Sequence, residues 1–230
     1  MRNRERTHQR LLATEKIAAN LPELGLKNGV PSPEIVNRDD IGAVLPPGAV
    51  HQGLALLSEP LTYVALEDVC AETKTTDQAI VIVLDRVSDP HNMGAVLRSA
   101  AVFGAACVVV SERGAPETTG VMAKSASGAL ETVPLIRETN ISHALDTLKE
   151  AGFWCAGLDG EAKTTLAQAK LTGKTALVLG AEGAGLRRMV RERCDFLVRI
   201  PALGPISSLN VSNAAAVALY ECARNREQNS

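Results

Sequence analysis

From residue 79 onward, short apolar runs alternate with segments of helix length, and this alternation limits the possible folds more than any other feature. Residues 80–84 (I-V-I-V-L) contain no polar position. A strand of that kind needs cover on both faces, as in a parallel sheet flanked by helices. Runs at 106–110, 153–158, 175–179 and 196–200 repeat the signal, with a shorter candidate at 132–136. Between them, 92–103 reads as a helix stopped by Gly104, and 118–130 as loosely helical. Asn140 can cap a helix running to 151, with Ile141, Ala144, Leu145 and Leu148 on one face. A short helix at 186–193 and an alanine-rich one at 208–224 complete the pattern. The expectation is an α/β domain built on a parallel sheet with helices on both sides.

Residues 1–78 lack this regularity. Pro22, Pro31, Pro33, Pro46, Pro47 and Pro60 punctuate them. One helix is expected over 7–20, with short strands at 50–57 and 63–66. The polar stretch 71–78 reads as a linker, giving a small domain at 1–70 and a main domain at 79–230. The net charge is −2, so the surface as a whole is no polycation, although a local basic patch stays open. The five cysteines are widely spaced, with no C-x-x-C. They imply reduced thiols in the cytoplasm rather than a disulfide framework or a zinc site. Residues 1–10 are polar, unlike a signal peptide, and no apolar run approaches the roughly 18 residues of a membrane span. Phe, Tyr and Trp together make up 3%, which argues against binding many bases by stacking.

Three loops follow three of the expected strands, at the edge where parallel sheets carry their sites. The first runs from Asp85 through Asp89-Pro90-His91-Asn92-Met93-Gly94 to Arg98. Asn92 can cap the following helix, and Arg98, set among apolar residues, needs a carboxylate or a phosphate. The second is Gly180-Ala181-Glu182-Gly183-Ala184-Gly185-Leu186. Its glycines allow close backbone approach to a ligand or simply a tight turn. The order G-x-x-G-x-G is not a dinucleotide fingerprint, and no acid follows at the ribose-binding distance. The third runs from Ile200-Pro201 to Ser208-Leu209-Asn210-Val211-Ser212-Asn213. Its hydrogen-bonding residues exceed what capping at Ser207 or Ser208 requires. His91 and His51 are candidate bases by type, although structural roles suit both better. Arg187, Arg188, Arg191 and Arg193 form either a solvated face or a phosphate contact, and the latter is expected.

Taken together, the three loops resemble the signature motifs of the SpoU (TrmH-type) RNA ribose 2′-O-methyltransferases of the SPOUT superfamily, in the right order and spacing over about residues 79–226. Residues 123–136 further resemble the branch that methylates a guanosine of 23S rRNA. The resemblance implies a deep trefoil knot at about 175–220, which strand–helix alternation cannot reveal. It implies S-adenosylmethionine bound in that knot by a homodimer, with Gly180, Ile200 and Leu209 at the cofactor and Glu182 and Gly185 shaping the loop. It places Arg98, Asn92, Glu182, Ser208 and Asn210 in the catalytic machinery, with no metal. Residues 49–54 resemble part of an L30e-like RNA-binding domain. The opening strand and helix of that domain have no counterpart, so the chain is expected to begin inside it.

The implied reaction moves a sulfonium methyl to a ribose 2′-oxygen, which mainly demands alignment and a more nucleophilic oxygen. The motif arginine, Arg98, either takes the hydroxyl proton or clamps the neighbouring phosphate. Expected partners are RNA, with 23S rRNA ahead of tRNA, and a second copy of the chain; no membrane and no DNA are expected. A 2′-OH acceptor selects RNA over DNA. Two readings of other classes remain: an NAD-type oxidoreductase and a non-catalytic RNA-binding module.

Overall fold

The computed structural model describes residues 6–21, 30–206 and 208–227. The chain divides into two compact units, Met1–Thr62 and Tyr63–Ser230. The division precedes the expected 71–78 linker for a packing reason. Helix Leu66–Glu72 buries Leu66 and Val69 in the core of the second unit.

In the first unit, strand β1 (His8–Ala13) lies between β2 (Glu34–Ile35), which is parallel to it, and β3 (Leu54–Ser58), which is antiparallel. The single helix expected at 7–20 is therefore a strand followed by helix α1 (Glu15–Asn20). Leu11, Leu12 and Ala13 are all buried, and pairing on both edges overrides the local helical preference of the stretch. Helix α2 (Arg38–Ala43) opens with a capping box. Asn37 Oδ1 accepts from Asp40 N at 2.8 Å, and Asp40 Oδ2 accepts from Asn37 N at 3.3 Å. No strand forms at 63–66; helix α3 (Leu66–Glu72) begins there instead.

The second unit is built on a sheet of seven strands. They are β4 (Ala79–Asp85), β5 (Cys107–Ser111), β6 (Leu135–Glu138), β7 (Trp154–Leu158), β8 (Thr164–Thr165), β9 (Lys174–Gly180) and β10 (Phe196–Arg199). Their order is β6-β5-β4-β9-β7-β10-β8, and every pairing is parallel. All seven residues of β4 are buried, as the unbroken apolar run requires. Val81, Val83, Val109 and Val178 face helix α6 (Ile141–Glu150), helix α8 (Arg188–Arg193) and α3 in one core cluster. Ile80, Ile82 and Leu84 point the other way by strand alternation. Helices α4 (Pro90–Val102), α5 (Gly120–Ala126) and α9 (Val211–Glu227) pack together on the sheet. A short helix, α7 (Leu166–Ala169), follows β8 and was not visible in the alternation.

Several details follow from local chemistry. Asn140 caps α6 through Ser142 N and His143 N, and the four residues expected on its inner face are buried. Gly94 lets α4 and α5 approach closely, since a Cβ there would lie 2.5 Å from Ser125 Cβ and 2.6 Å from Met122 O. The cysteines are free thiols. Burial pushes Cys107, Cys155, Cys194 and Cys222 up to about 12, so they stay neutral and unreactive at physiological pH. Among the described residues, no helix is long and apolar enough to cross a membrane.

Candidate functional site

The end of β4 sets the site. Asp85 is fully buried after six apolar residues, and a buried carboxylate needs a partner. Arg187 supplies one from 102 positions away. Its backbone N–H donates to Oδ2 at 2.9 Å and its Nε to Oδ1 at 2.7 Å, with Nη2 also 2.7 Å from Oδ1. This pair fixes the loop after β9 to the end of β4, where Asp85 and Gly180 are already in register.

Helix α4 starts two residues earlier than expected. Asp89, not Asn92, is its N-cap, accepting from His91 N at 3.0 Å, and Pro90 takes the first helical position. Asn92 is thereby released from capping and is nearly buried in the first turn. Its Nδ2 donates to Glu182 Oε1 at 3.0 Å. Asn210 Nδ2 donates to the same Oε1 at 2.7 Å and to Asn92 Oδ1 at 2.9 Å. Val211 N reaches that Oε1 at 3.4 Å. Ser212 Oγ bonds Asn210 Oδ1 at 2.6 Å and Asn92 Oδ1 at 3.4 Å. One carboxylate therefore ties together three loops that are remote in sequence.

The glycine loop between β9 and α8 owes its composition to its own geometry. A Cβ on Gly180 would lie 2.1 Å from the carbonyl carbon of Gly185, because the loop folds back on itself. Gly185 N donates to Ala181 O at 2.8 Å to close the turn, with Gly183 and Gly185 at positive φ. The tight turn therefore accounts for all three glycines, and its effect is to present Glu182 to Asn92 and Asn210.

The third loop has a different character. Residues 201–206 and 208–210 are exposed, with Leu203 fully so and Leu209 half so, while Ile200 is partly buried. Asn210 Oδ1 accepts from Ser212 N at 2.8 Å, so Asn210 rather than Ser208 caps α9. Ser207 lies outside the described residues. Ser208 is exposed and has no hydrogen-bond partner among the described residues.

Arg98 is also apart from the cluster. It is exposed on α4, six residues beyond Asn92, and has no ion pair among the described residues. Solvent meets the need for a partner that its apolar neighbours suggested. One turn on, Val102 is 72% exposed, and Tyr220 of α9 makes an edge contact with Phe103 while remaining 57% exposed. The arginine cluster corrects an expectation, since each member has a carboxylate. Arg187 holds Asp85, Arg188 holds Glu192, Arg191 holds Asp159 and Arg193 holds Asp146. The two candidate histidines make local hydrogen bonds: His51 Nδ1 accepts from Gly53 N at 3.1 Å, and the exposed His91 has Nδ1 3.3 Å from Ser125 Oγ. Sequence reasoning assigned no role to Asp85. Its signal was a charge closing an otherwise apolar strand.

Comparison with known proteins assigns the chain to one family. Residues 79–220 match the model of the SpoU rRNA Methylase family. A Vibrio cholerae protein named 23S rRNA (guanosine-2′-O-)-methyltransferase RlmB is 46% identical over 185 residues, covering 79% of this chain and 74% of that protein. The Escherichia coli K12 protein of the same name is 45% identical over 179 residues, 78% of this chain and 74% of its own. Among solved structures, the SpoU methyltransferase AviRb from Streptomyces viridochromogenes, in complex with AdoMet, shares the fold. Its TM-score is 0.78 at 24% identity, covering 97% of this chain and 84% of that one. A structure described as an RNA 2′-O ribose methyltransferase gives a TM-score of 0.73 at 25% identity, covering 96% and 83%.

Proposed function

This chain belongs to the SpoU rRNA methylase family, and we propose that it is an S-adenosylmethionine-dependent enzyme that methylates the ribose 2′-OH of a guanosine in 23S rRNA. The observation that carries the reading is the single Glu182 carboxylate holding Asn92 and Asn210, and with them all three motif loops, at the carboxyl edge of the sheet.

The residues present suit the cofactor. An adenosine needs apolar cover and backbone hydrogen-bonding groups. The 200–209 loop has Leu203, Ile206 and Leu209 exposed. Its residues 202–206 and 208–209 enter no backbone–backbone hydrogen bond among the described residues. Ile200 and Leu209 would hold the cofactor together with the backbone at Gly180 and Gly185, over the knotted crossing expected at 175–220. When bound, S-adenosylmethionine supplies an electrophilic methyl on a sulfonium leaving group.

The chain itself must then place and activate the 2′-oxygen. An arginine, with a solution pKa above about 12, is a poor base. Arg98 therefore acts by charge: it clamps the phosphate beside the target ribose and makes the hydroxyl more acidic, so that its proton passes to solvent water as the oxygen takes the methyl. Ser208 orients the ribose, while Asn92, Glu182 and Asn210 keep the loops in place. The enzyme works in the cytoplasm as a homodimer. Support for the second copy comes from the exposed Val102, Val217 and Tyr220 on α4 and α9, beside Arg98. The first unit, Met1–Thr62, serves as an L30e-like RNA-binding domain.

The test is methyl transfer from labelled S-adenosylmethionine to separate pools of unmodified 23S rRNA and tRNA, each digested to nucleosides. The expected product is labelled 2′-O-methylguanosine from the ribosomal pool. Label confined to tRNA would overturn the substrate, and label in a base would overturn the reaction.

A further inference from the structure

The motif loops use only part of the carboxyl edge of the sheet. On the other side of β4 lies a cleft of about 780 Å³, bordered by the ends of β4, β5 and β6. Arg86, Arg113 and Arg187 line it together with the hydroxyl residues Ser88, Ser111 and Thr139, and no carboxylate is in its lining. Through Arg187 and Thr139 it continues into a second groove of about 370 Å³.

The arginines of the cleft differ from the others nearby. Arg187 is engaged with Asp85, and Arg188, Arg191 and Arg193 each have a carboxylate. Arg86 and Arg113 are exposed and have no ion pair among the described residues. They leave the cleft with uncompensated positive charge. The flanking Glu112 and Glu138 are outside the lining, and burial, reinforced by Glu67, raises the carboxyl of Glu138 toward its neutral form.

Backbone geometry adds an independent sign. Arg86 sits at φ +64°, in the left-handed region that glycine occupies without strain. A strained arginine at the mouth of a ligand-sized cleft points to a use for its side chain. Its placement fits a nucleic acid strand. Arg86 directly follows Asp85, which is in register with Gly180 of the motif-two loop. At about 4.8 Å per strand, the end of β5 lies roughly 10 Å from the end of β9. That is a short step along an RNA backbone from a nucleotide held at the motif loops.

We propose that this cleft seats the phosphodiester backbone next to the target nucleotide, with Arg86 and Arg113 each holding a phosphate and the exposed hydroxyls of Ser88 and Thr139 donating to its oxygens, while Ser111 Oγ is kept by Arg113 O. The proposal rests on the reading of the protein as an RNA methyltransferase. Phosphate contacts position without reading sequence, so their loss weakens all RNA alike.

The experiment compares the unaltered protein with Arg86→Gly, Arg113→Gln and the double variant. The readouts are the thermal midpoint, S-adenosylmethionine affinity, and the salt dependence of binding to a 23S rRNA fragment and to a scrambled RNA of equal length. Each single variant should lose about tenfold in affinity for both RNAs. The log–log salt slope should fall by about 0.7 per contact. Arg86→Gly relieves the backbone, so its thermal midpoint should hold or rise, which a merely structural arginine would not allow. Cofactor affinity should not change. An unaltered RNA affinity and slope in the double variant overturns the cleft while leaving the methyltransferase intact. A loss confined to the ribosomal fragment overturns the phosphate assignment in favour of base reading. Failure of the unaltered protein to bind or methylate any RNA overturns both readings.

Discussion

Two groups of side chains at the carboxyl edge of the sheet have opposite surroundings. Asn92, Glu182, Asn210 and Ser212 hold one another, and Arg187 holds the buried Asp85. Arg98, Ser208 and Leu209 face solvent. The difference separates committed groups from uncommitted ones. Groups whose hydrogen bonds are already made set the positions of loops, and groups left uncommitted are available to ligands.

The comparison breaks most decisively at the arginines. Arg98→Ala should reduce methyl transfer by about 10²–10³-fold, with the thermal midpoint and cofactor affinity unchanged. A fall in stability instead would move Arg98 into the committed group. Arg187→Ala should behave oppositely, costing about 2–3 kcal/mol in urea unfolding because Asp85 keeps its buried charge with one backbone N–H donor left. Glu182→Ala sharpens the contrast at the shared carboxylate. About 1–2 kcal/mol should be lost together with cofactor affinity, since the amides of Asn92 and Asn210 lose their common acceptor. The smallest effect is expected at Asp89→Ala. Loss of the cap should cost about 1 kcal/mol by the same unfolding measurement, with cofactor affinity retained.

The sequence disclosed what depends on local pattern. The apolar runs located the central strands, and the face of α6 was readable residue by residue. It could not disclose strand order, because a buried run carries no record of its neighbours: β9 pairs with β4, 95 positions earlier by the Ala79–Lys174 register. Residues 7–20 misled because Leu, Ala, Glu and Lys suit a helix, while pairing with β2 and β3 decides for a strand. In the site, the residue types were legible but their division of labour was not. Asn92 reads as a cap until Asp89 is seen doing that task, and Glu182 shows no sign in sequence that it serves two amides. The four arginines at 187–193 look like a phosphate site because their carboxylates come from elsewhere in the chain as well as from their own helix.

The position of β9 also governs how the molecule is made. Among the described residues, β7 pairs only with β9 and β10, both of which lie later in the chain. A chain leaving the ribosome therefore carries β7 as an unpaired, largely apolar strand until Lys174–Gly180 has emerged. At about 5–20 residues per second that interval is on the order of one to four seconds. During it, β4, β5 and β6 can already pair with each other, while β4 still offers its other edge to any strand that fits. The arrival of β9 fills that edge and gives β7 its first partner in a single event. The same event carries Gly180, and the loop that presents Glu182, to the end of β4. Joining the two halves of the sheet and bringing the first two motif loops together are thus one kinetic step, with β10, β8 and the Asn210 loop added after it.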